Sequence, residues 1–401
     1  MKIRDIKMDG YAVFTKDKDE LMDEVCRMEA DSHWDSGVAG SGIAVFGIEP
    51  LEVPSVRADA KNGGGKYGFI ANADSLDEAT ILDTANGCGL LVSYNYNLHA
   101  ARDTAVSGLH ETAKLYGSAF GRMDAHTHAT VLQYGLNMAK TTNLVLQRCG
   151  KVSAVHSSSY EIMPISRLLQ ILDKELPSRF GECKFLHGTN GHALTTAMWS
   201  LNDAQQDILD RYQKALDSAG FPTIMPVAWM PAVYFESSDT ALSAARAVPV
   251  FIDDAGCVSR FTEGVQIKHV KSAGGCGKFA EEVEKMWSLF DESMEKITDM
   301  AKVIVNHPAN AFVGVCNKLQ IPAKWAEKTR AFLDGYQVNG QQLSVHDIYV
   351  IATRIPKHAK ELGAAETVIK SLTEQIGKML DVEWKDYDVG GSVAWGNKSN
   401  L

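Results

Sequence analysis

Asn143-Leu-Val-Leu-Gln-Arg148, Cys149-Gly150 and Lys151-Val-Ser-Ala-Val-His156 are the residues on which the fold turns. Two short β-type runs flank a pair whose Gly150 supplies the positive φ that a two-residue hairpin turn wants, so the stretch predicts a β-hairpin. After Ser157–Tyr160, Pro164 stands where a first helical residue tolerates proline. Ile165, Leu168, Leu169, Leu172 and Leu176 then recur at helical spacing up to the charged Asp173–Glu175 end. The unit reads as strand, turn, strand, helix.

Working toward the C-terminus, Lys184–Thr189 and His192–Trp199 flank Asn190-Gly191, a strong short hairpin signal. Asn202 or Asp203 caps a helix through Leu216, ended by Gly220 and Pro222. Strands are expected around Ala232–Glu236 and Leu242–Phe251, before a turn at Asp253–Gly256. Strands joined by hairpins pair antiparallel, so the expected fold class is α+β: a central antiparallel or mixed sheet with helices packed on one face. Beyond Lys278 the spacing of Phe279, Val283, Met286, Phe290, Met294, Ile297, Ala301 and Ile304 predicts one long helix, stopped by His307-Pro308. Pro322 opens another through Phe332, Ser344 with Asp347 reads as a capping box for a helix to Thr353, and Ala365–Leu380 is a last amphipathic helix.

Toward the N-terminus, Leu109, Ala113, Tyr116 and Phe120 predict a helix from Gly108, and a second covers Thr130–Ala139. Residues 1–105 read as short strands such as Ile43–Phe46 and Gly89–Ser93 joined by loops, including Gly63-Gly64-Gly65. The expected organisation is a strand- and loop-rich region over 1–107, an α+β core over 108–277, a helical region over 278–390 and a loose tail over 391–401.

With 401 residues, 45% of them hydrophobic and 22% charged, the chain has the composition of a globular protein rather than a disordered or fibrous one. No apolar run approaches the roughly 20 residues needed to cross a bilayer, and Met1–Gly10 is charged, so neither a membrane span nor a signal peptide is expected. Seven cysteines stand singly without a C-x-x-C pair, which fits reduced thiols in a cytosol and suggests neither a zinc ribbon nor a disulfide framework. A net charge of -10 opposes a surface that coats nucleic acid throughout, since that affinity comes from neutralising phosphates.

A local groove is left open. Arg148, Lys151, Tyr160 and Arg167 surround the first hairpin, and Lys268, His269, Lys271 and Lys278 precede the long helix. Cations beside an aromatic ring are what a single-strand groove uses. Residues 140–280 carry 14 Lys plus Arg against 13 Asp plus Glu, so the segment is balanced and a solvated charged surface is the favoured alternative.

Asp124-Ala-His126-Thr-His128 is the one cluster with the look of catalytic metal chemistry, because Asp-x-His-x-His on a strand end turns two imidazoles to one side. Its lead-in is helical, which favours a polar loop between helices. His187 and His192 would share a hairpin face if Asn190-Gly191 were the whole turn; a surface pair without a ligand is the favoured reading. Ser272-Ala-Gly-Gly-Cys-Gly-Lys-Phe279 departs from a phosphate-binding loop at both ends, with Ser for the first Gly and Phe for the magnesium-holding Ser or Thr, and reads as a glycine hinge. No nucleophile elbow occurs, and no catalytic residue or cofactor is assigned.

Leu146–Tyr160 with the helix that follows resembles a pattern of arginine, Gly-containing turn, strand, Ser-x-x-Tyr and helix found in the phage- and plasmid-like protein family known as domain of unknown function 932. Leu109–Leu136 is similar to that family's helical lead-in, Val233–Asp239 to its acidic Ser-rich strand end and Ile267–Val270 to its basic-His segment. His346–Thr353 resembles its late helix, although the expected Asn beside the Ala is absent. The resemblance covers roughly residues 108 to 380, rests on the order of loose motifs, and implies a mobile-element setting without a mechanism. The resulting expectation is a non-enzymatic single-strand binding or annealing factor in a bacterial cytoplasm, oligomeric through its C-terminal helices. An anti-defence or ligand-sequestering protein and a metal-dependent hydrolase are the alternatives.

Overall fold

The computed structural model describes residues 13–48, 50–51, 66–69, 80–83, 89–94, 98–100, 103–115, 123, 125–148, 151–191, 194–222, 229–364 and 366–396. Its strands are β1 (Val13–Thr15), β2 (Ser32–Ala39), β3 (Ile43–Ile48), β4 (Pro50–Leu51), β5 (Lys66–Phe69), β6 (Thr80–Asp83), β7 (Gly89–Tyr94), β8 (Leu98–Ala100), β9 (Thr142–Arg148) and β10 (Lys151–Ser157). They continue with β11 (Cys183–Asn190), β12 (Thr195–Leu201), β13 (Met230–Ser237), β14 (Ala245–Ile252), β15 (Val258–Ser259), β16 (Val265–Ile267), β17 (Ile304–Val305) and β18 (Leu343–Ser344). The helices are α1 (Lys18–Ala30), α2 (Asp103–Ala113), α3 (Ala125–Met138), α4 (Ile165–Phe180), α5 (Gln205–Asp217) and α6 (Gly275–Val283). Beyond them come α7 (Met286–Lys302), α8 (Pro308–Lys318), α9 (Ala323–Val338), α10 (Val345–Ala352), α11 (Ile355–Glu361) and α12 (Glu366–Gly377).

The fold class is α+β. The largest sheet runs β1-β11-β12-β13-β14-β15, with β16 also on β14, and every pairing in it is antiparallel. Its main core lies against α1, α4, α5, α6, α7 and the C-terminal helices. In α4 the apolar stripe predicted from spacing is buried, Leu168, Leu172 and Leu176 completely, and each such side chain contributes about 1.5–3 kcal/mol of transfer free energy. A smaller sheet, β10-β9-β2, carries a second core of Val145, Val152 and Val155 under Leu109 of α2 and Leu132 and Leu136 of α3. Gly108 lets α2 settle on that sheet, since a Cβ there would lie 1.9 Å from the Val155 carbonyl oxygen.

The predicted hairpin is present, with Lys151 opposite Arg148 and a bulge between Val152 and Ala154. The turn residues Cys149-Gly150 lie outside the described residues, as does Gly63-Gly64-Gly65. The second hairpin differs from its sequence reading. Asn190 pairs with Thr195 and Thr189 with Thr196, so the connection spans 191–194 and Asn190 belongs to the strand. Its side chain explains why: Asn190 is buried and accepts a hydrogen bond from Thr195 Oγ1 at 2.6 Å. Thr189 therefore does not oppose His192, as a shared His187–His192 face required; His187 stands opposite Met198, and His192 itself lies outside the described residues.

Three further expectations need correction. The long helix is two, because Lys285 leaves helical dihedrals at φ -91° and ψ 11°, and Ile304 belongs to β17. Phe279, Val283, Met286 and Phe290 are all buried, so the apolar stripe continues across the bend and the two helices follow the core. The apolar stripe of these two helices is therefore buried within this chain. The N-terminal region is not only strands and loops, since α1 buries Leu21, Val25 and Met28 in the main core, and β1 and β2 pair with β11 and β9. The tail is fastened as far as residue 396: Trp395 Nε1 donates to Glu327 at 2.7 Å and Asn317 Nδ2 donates to the Ala394 carbonyl at 3.1 Å. Among the described residues no helix is long and apolar enough to cross a membrane.

Candidate functional site

Strand register places Ser32, Trp34, Leu146, Arg148 and His156 on one face of the small sheet, since Ser32 opposes Arg148, Trp34 opposes Leu146 and His156 opposes Leu144. The other face is the one under α2 and α3. This face meets the end of β13, where the chain reads Glu236-Ser-Ser-Asp239.

Arg148 is 1% exposed. Its guanidinium donates to the Asp239 carboxylate, and its Nε donates to Ser32 Oγ at 2.8 Å, while Ser32 Oγ in turn donates to the Met28 carbonyl at 2.7 Å. Burial holds the Asp239 carboxyl above the usual carboxylate range, with the Arg148 guanidinium pulling the other way. The Asp239 main-chain carbonyl accepts from His156 Nε2 at 2.8 Å. Tyr160 stacks on His156 with ring centres 3.9 Å apart, on His269 at 5.2 Å and on Trp34 at 5.7 Å.

The Tyr160 hydroxyl lies 3.1 Å from His269 Nδ1 and 3.3 Å from the Asp239 carbonyl oxygen. The hydroxyl has one proton to give: donated to Asp239 it leaves His269 Nδ1–H to donate to the phenol oxygen and Nε2 to accept from Ser237 Oγ at 3.4 Å, and donated to Nδ1 it makes Nε2–H the donor to Ser237. Burial pushes both His156 and His269 down to about 4 and raises Tyr160 far above its usual range. At neutral pH these groups are uncharged, and the phenol is a poor source of phenolate. The cluster's chemistry is that of a fixed scaffold rather than of a nucleophile or base.

What the cluster fixes is the surface above it. Ser157, Ser158 and Ser159 are exposed, and the segment after β16 runs antiparallel beside them through a Tyr160–Val270 bridge. Lys271 N–H donates to the Ser159 carbonyl at 2.9 Å and Glu161 N–H to the His269 carbonyl at 3.1 Å. Lys268 and Lys271 are exposed on that segment, and Arg167 is exposed on the first turn of α4, close enough to α6 to act on the Cys276 thiol. The glycine hinge before α6 is real in backbone terms, with Gly274 and Gly275 at φ +87° and +58°. A Cβ on Gly275 would sit 3.2 Å from Glu161 Oε1, so a carboxylate of this chain already occupies the space beside that helix start.

The eight sequence-derived positions therefore divide. Arg148, Tyr160 and His269 are buried in the cluster; Arg167, Lys268 and Lys271 are exposed around it. Lys278 is engaged by Glu282 at 2.8 Å and Glu281 at 3.2 Å. Lys151 faces Arg148 by backbone register, and its side chain lies outside the described residues. Sequence reasoning missed Ser32, Trp34, His156 and Asp239 as members of the site. The alternation of β10 and the single buried-type Arg on β9 were the available signals for His156 and for an acidic partner.

A second buried polar chain crosses the main core. Tyr212 of α5 donates to His346 Nε2, and His346 Nδ1 lies 3.3 Å from Asp347 Oδ1, with Phe261 stacked on the imidazole at 5.7 Å. Asp347 Oδ2 is buried with no hydrogen-bond partner among the described residues. All eight residues of α10, which carries His346 and Asp347, are buried.

In the Asp124-His126-His128 stretch the residues from Ala125 onward are helical, so His126 and His128 diverge by about 200° around α3 and do not converge as strand residues would. Asp124 lies outside the described residues, and among the described residues no group of three or more ligand-type side chains gathers. Comparison of the chain with protein-family models, curated proteins and solved structures found no match.

Proposed function

We propose that this chain binds the phosphate backbone of single-stranded nucleic acid through Arg167, Lys268 and Lys271 and the exposed hydroxyls of Ser157–Ser159. The observation that carries the reading is the double backbone clamp between residues 159–161 and 269–271, which sets two exposed lysines beside three exposed serines on a rigid support. Side-chain and main-chain donors held at fixed spacing are what a phosphate backbone selects, and half-buried Trp34 at the edge of the ring stack adds a face on which a base can rest. In this reading Arg148 and Tyr160 support the surface from beneath and touch no ligand. The resemblance to phage- and plasmid-borne proteins supports a role in mobile-element DNA metabolism, without catalysis, in a bacterial cytoplasm.

Fluorescence anisotropy with a labelled single-stranded oligonucleotide tests it. Three phosphate contacts give a log–log salt slope of about -2, which weakens binding about twentyfold between 50 and 200 mM salt. Absence of binding at low ionic strength, or binding indifferent to salt, overturns the reading.

A further inference from the structure

Away from that surface, His110 of α2 and His128 of α3 meet where the two helices cross. The crossing is close, since a Cβ on Gly135, two turns beyond His128, would lie 2.7 Å from the Ala113 Cβ. His110 Nδ1 lies 3.0 Å from the Leu115 carbonyl, an acceptor only, so Nδ1 carries the ring proton and Nε2 presents its lone pair. His128 Nε2 is 2.7 Å from that atom, with ring centres 4.9 Å apart. Without a metal, one proton joins the two nitrogens.

We infer that His110 and His128 form a two-imidazole site for a borderline divalent transition metal, Zn²⁺, Ni²⁺ or Cu²⁺, that clamps α2 to α3. Two nitrogens each about 2.0–2.1 Å from a tetrahedral ion are about 3.3 Å apart, so the pair must open by about 0.6 Å and each imidazole must turn on its side-chain torsions until both lone pairs meet at the ion. The Nδ1–H···O=C bond from His110 to Leu115 is the outer partner that orients a ligating imidazole. Imidazole donors select these three ions over Mg²⁺ and Ca²⁺, which prefer oxygen. Both rings are half-buried. His126, turned to the other side of α3, takes no part. The site is independent of the nucleic-acid surface, and failure of either leaves the other standing.

Isothermal titration of the full chain with ZnCl₂ tests the proposal against the background of its 12 histidines. The expected result is one saturable site, raised thermal stability on loading, at least a tenfold loss of affinity in His110→Ala and in His128→Ala, and unchanged affinity in His126→Ala. Should either variant fail to fold, electron paramagnetic resonance of the wild-type chain with one equivalent of Cu²⁺ gives the answer, with two equatorial imidazole nitrogens expected. No saturable binding, wild-type affinity in either His110→Ala or His128→Ala, or fewer than two imidazole nitrogens overturns it.

Discussion

Two buried polar chains in this molecule are built alike and placed differently. In one, Arg148, His156 and Tyr160 gather on Asp239, with His269 behind Tyr160; in the other, Tyr212, His346 and Asp347 run through the main core. Each threads a histidine between oxygen partners. The first pairs a full positive charge with a carboxylate and stands beneath exposed serines and lysines, whereas the second is walled by Phe261 and Phe251 and ends on a carboxylate oxygen with no partner among the described residues. A buried polar network by itself marks a scaffold. Only the scaffold that reaches a surface of exposed donors has something to present, which is why the functional reading rests on the first.

The largest separation between the two comes from removing their acids. Asp239→Ala strands a buried guanidinium, and breaking a buried pair from one side costs about 3–5 kcal/mol. Asp347→Ala removes a group held at 3.3 Å by one imidazole and costs about 1–3 kcal/mol. Urea unfolding of both variants checks the order, and a larger loss at Asp347 breaks the comparison.

Acid sharpens it next. His156 and His269, held near 4, take up protons more readily unfolded than folded, so stability is intact above pH 6.5 and falls as the pH drops from about 6.5 toward 4. The loss is on the order of 3 kcal/mol for each ring at most. His156→Gln keeps an N–H for the Asp239 carbonyl and removes that ring's share of the slope; a melting profile against pH as steep as the wild type's contradicts the assignment.

The smallest effect concerns the start of α10. Ser344 Oγ accepts from Asp347 N–H at 3.1 Å, so Ser344→Ala costs about 1 kcal/mol of thermal stability without changing nucleic-acid binding. Loss of binding in that variant would tie the two chains together.

The first hairpin, α4 and the Ser344 cap of α10 were legible in the sequence, because each rests on local chemistry: two β-type runs about a glycine, a proline at a helix start, a hydroxyl before a helix; the other half of the expected capping box is not made, since the Asp347 carboxylate turns to His346. The register of β11 on β12 was not, since Asn190 serves a buried hydrogen bond with Thr195 instead of the turn its neighbour Gly191 suggests. The bend at Lys285 was hidden because the apolar stripe passes through it unbroken. In the site, exposed Lys268 and Lys271 could be read from local sequence. The burial of Arg148 could not, because its partner stands 91 residues away in the turn after β13. His110 and His128, 18 residues apart, meet only because Gly135 lets two helices approach.

The central claim, that the buried cluster supports and the exposed cations bind, is tested most directly by oligonucleotide anisotropy on Arg167→Glu/Lys268→Glu/Lys271→Glu beside the wild type, with thermal melts in the same buffer. The expected result is at least a tenfold loss of affinity with a melting temperature within about 2 °C of the wild type's, since exposed substitutions away from caps and cores cost little. A triple variant that binds as the wild type does contradicts it.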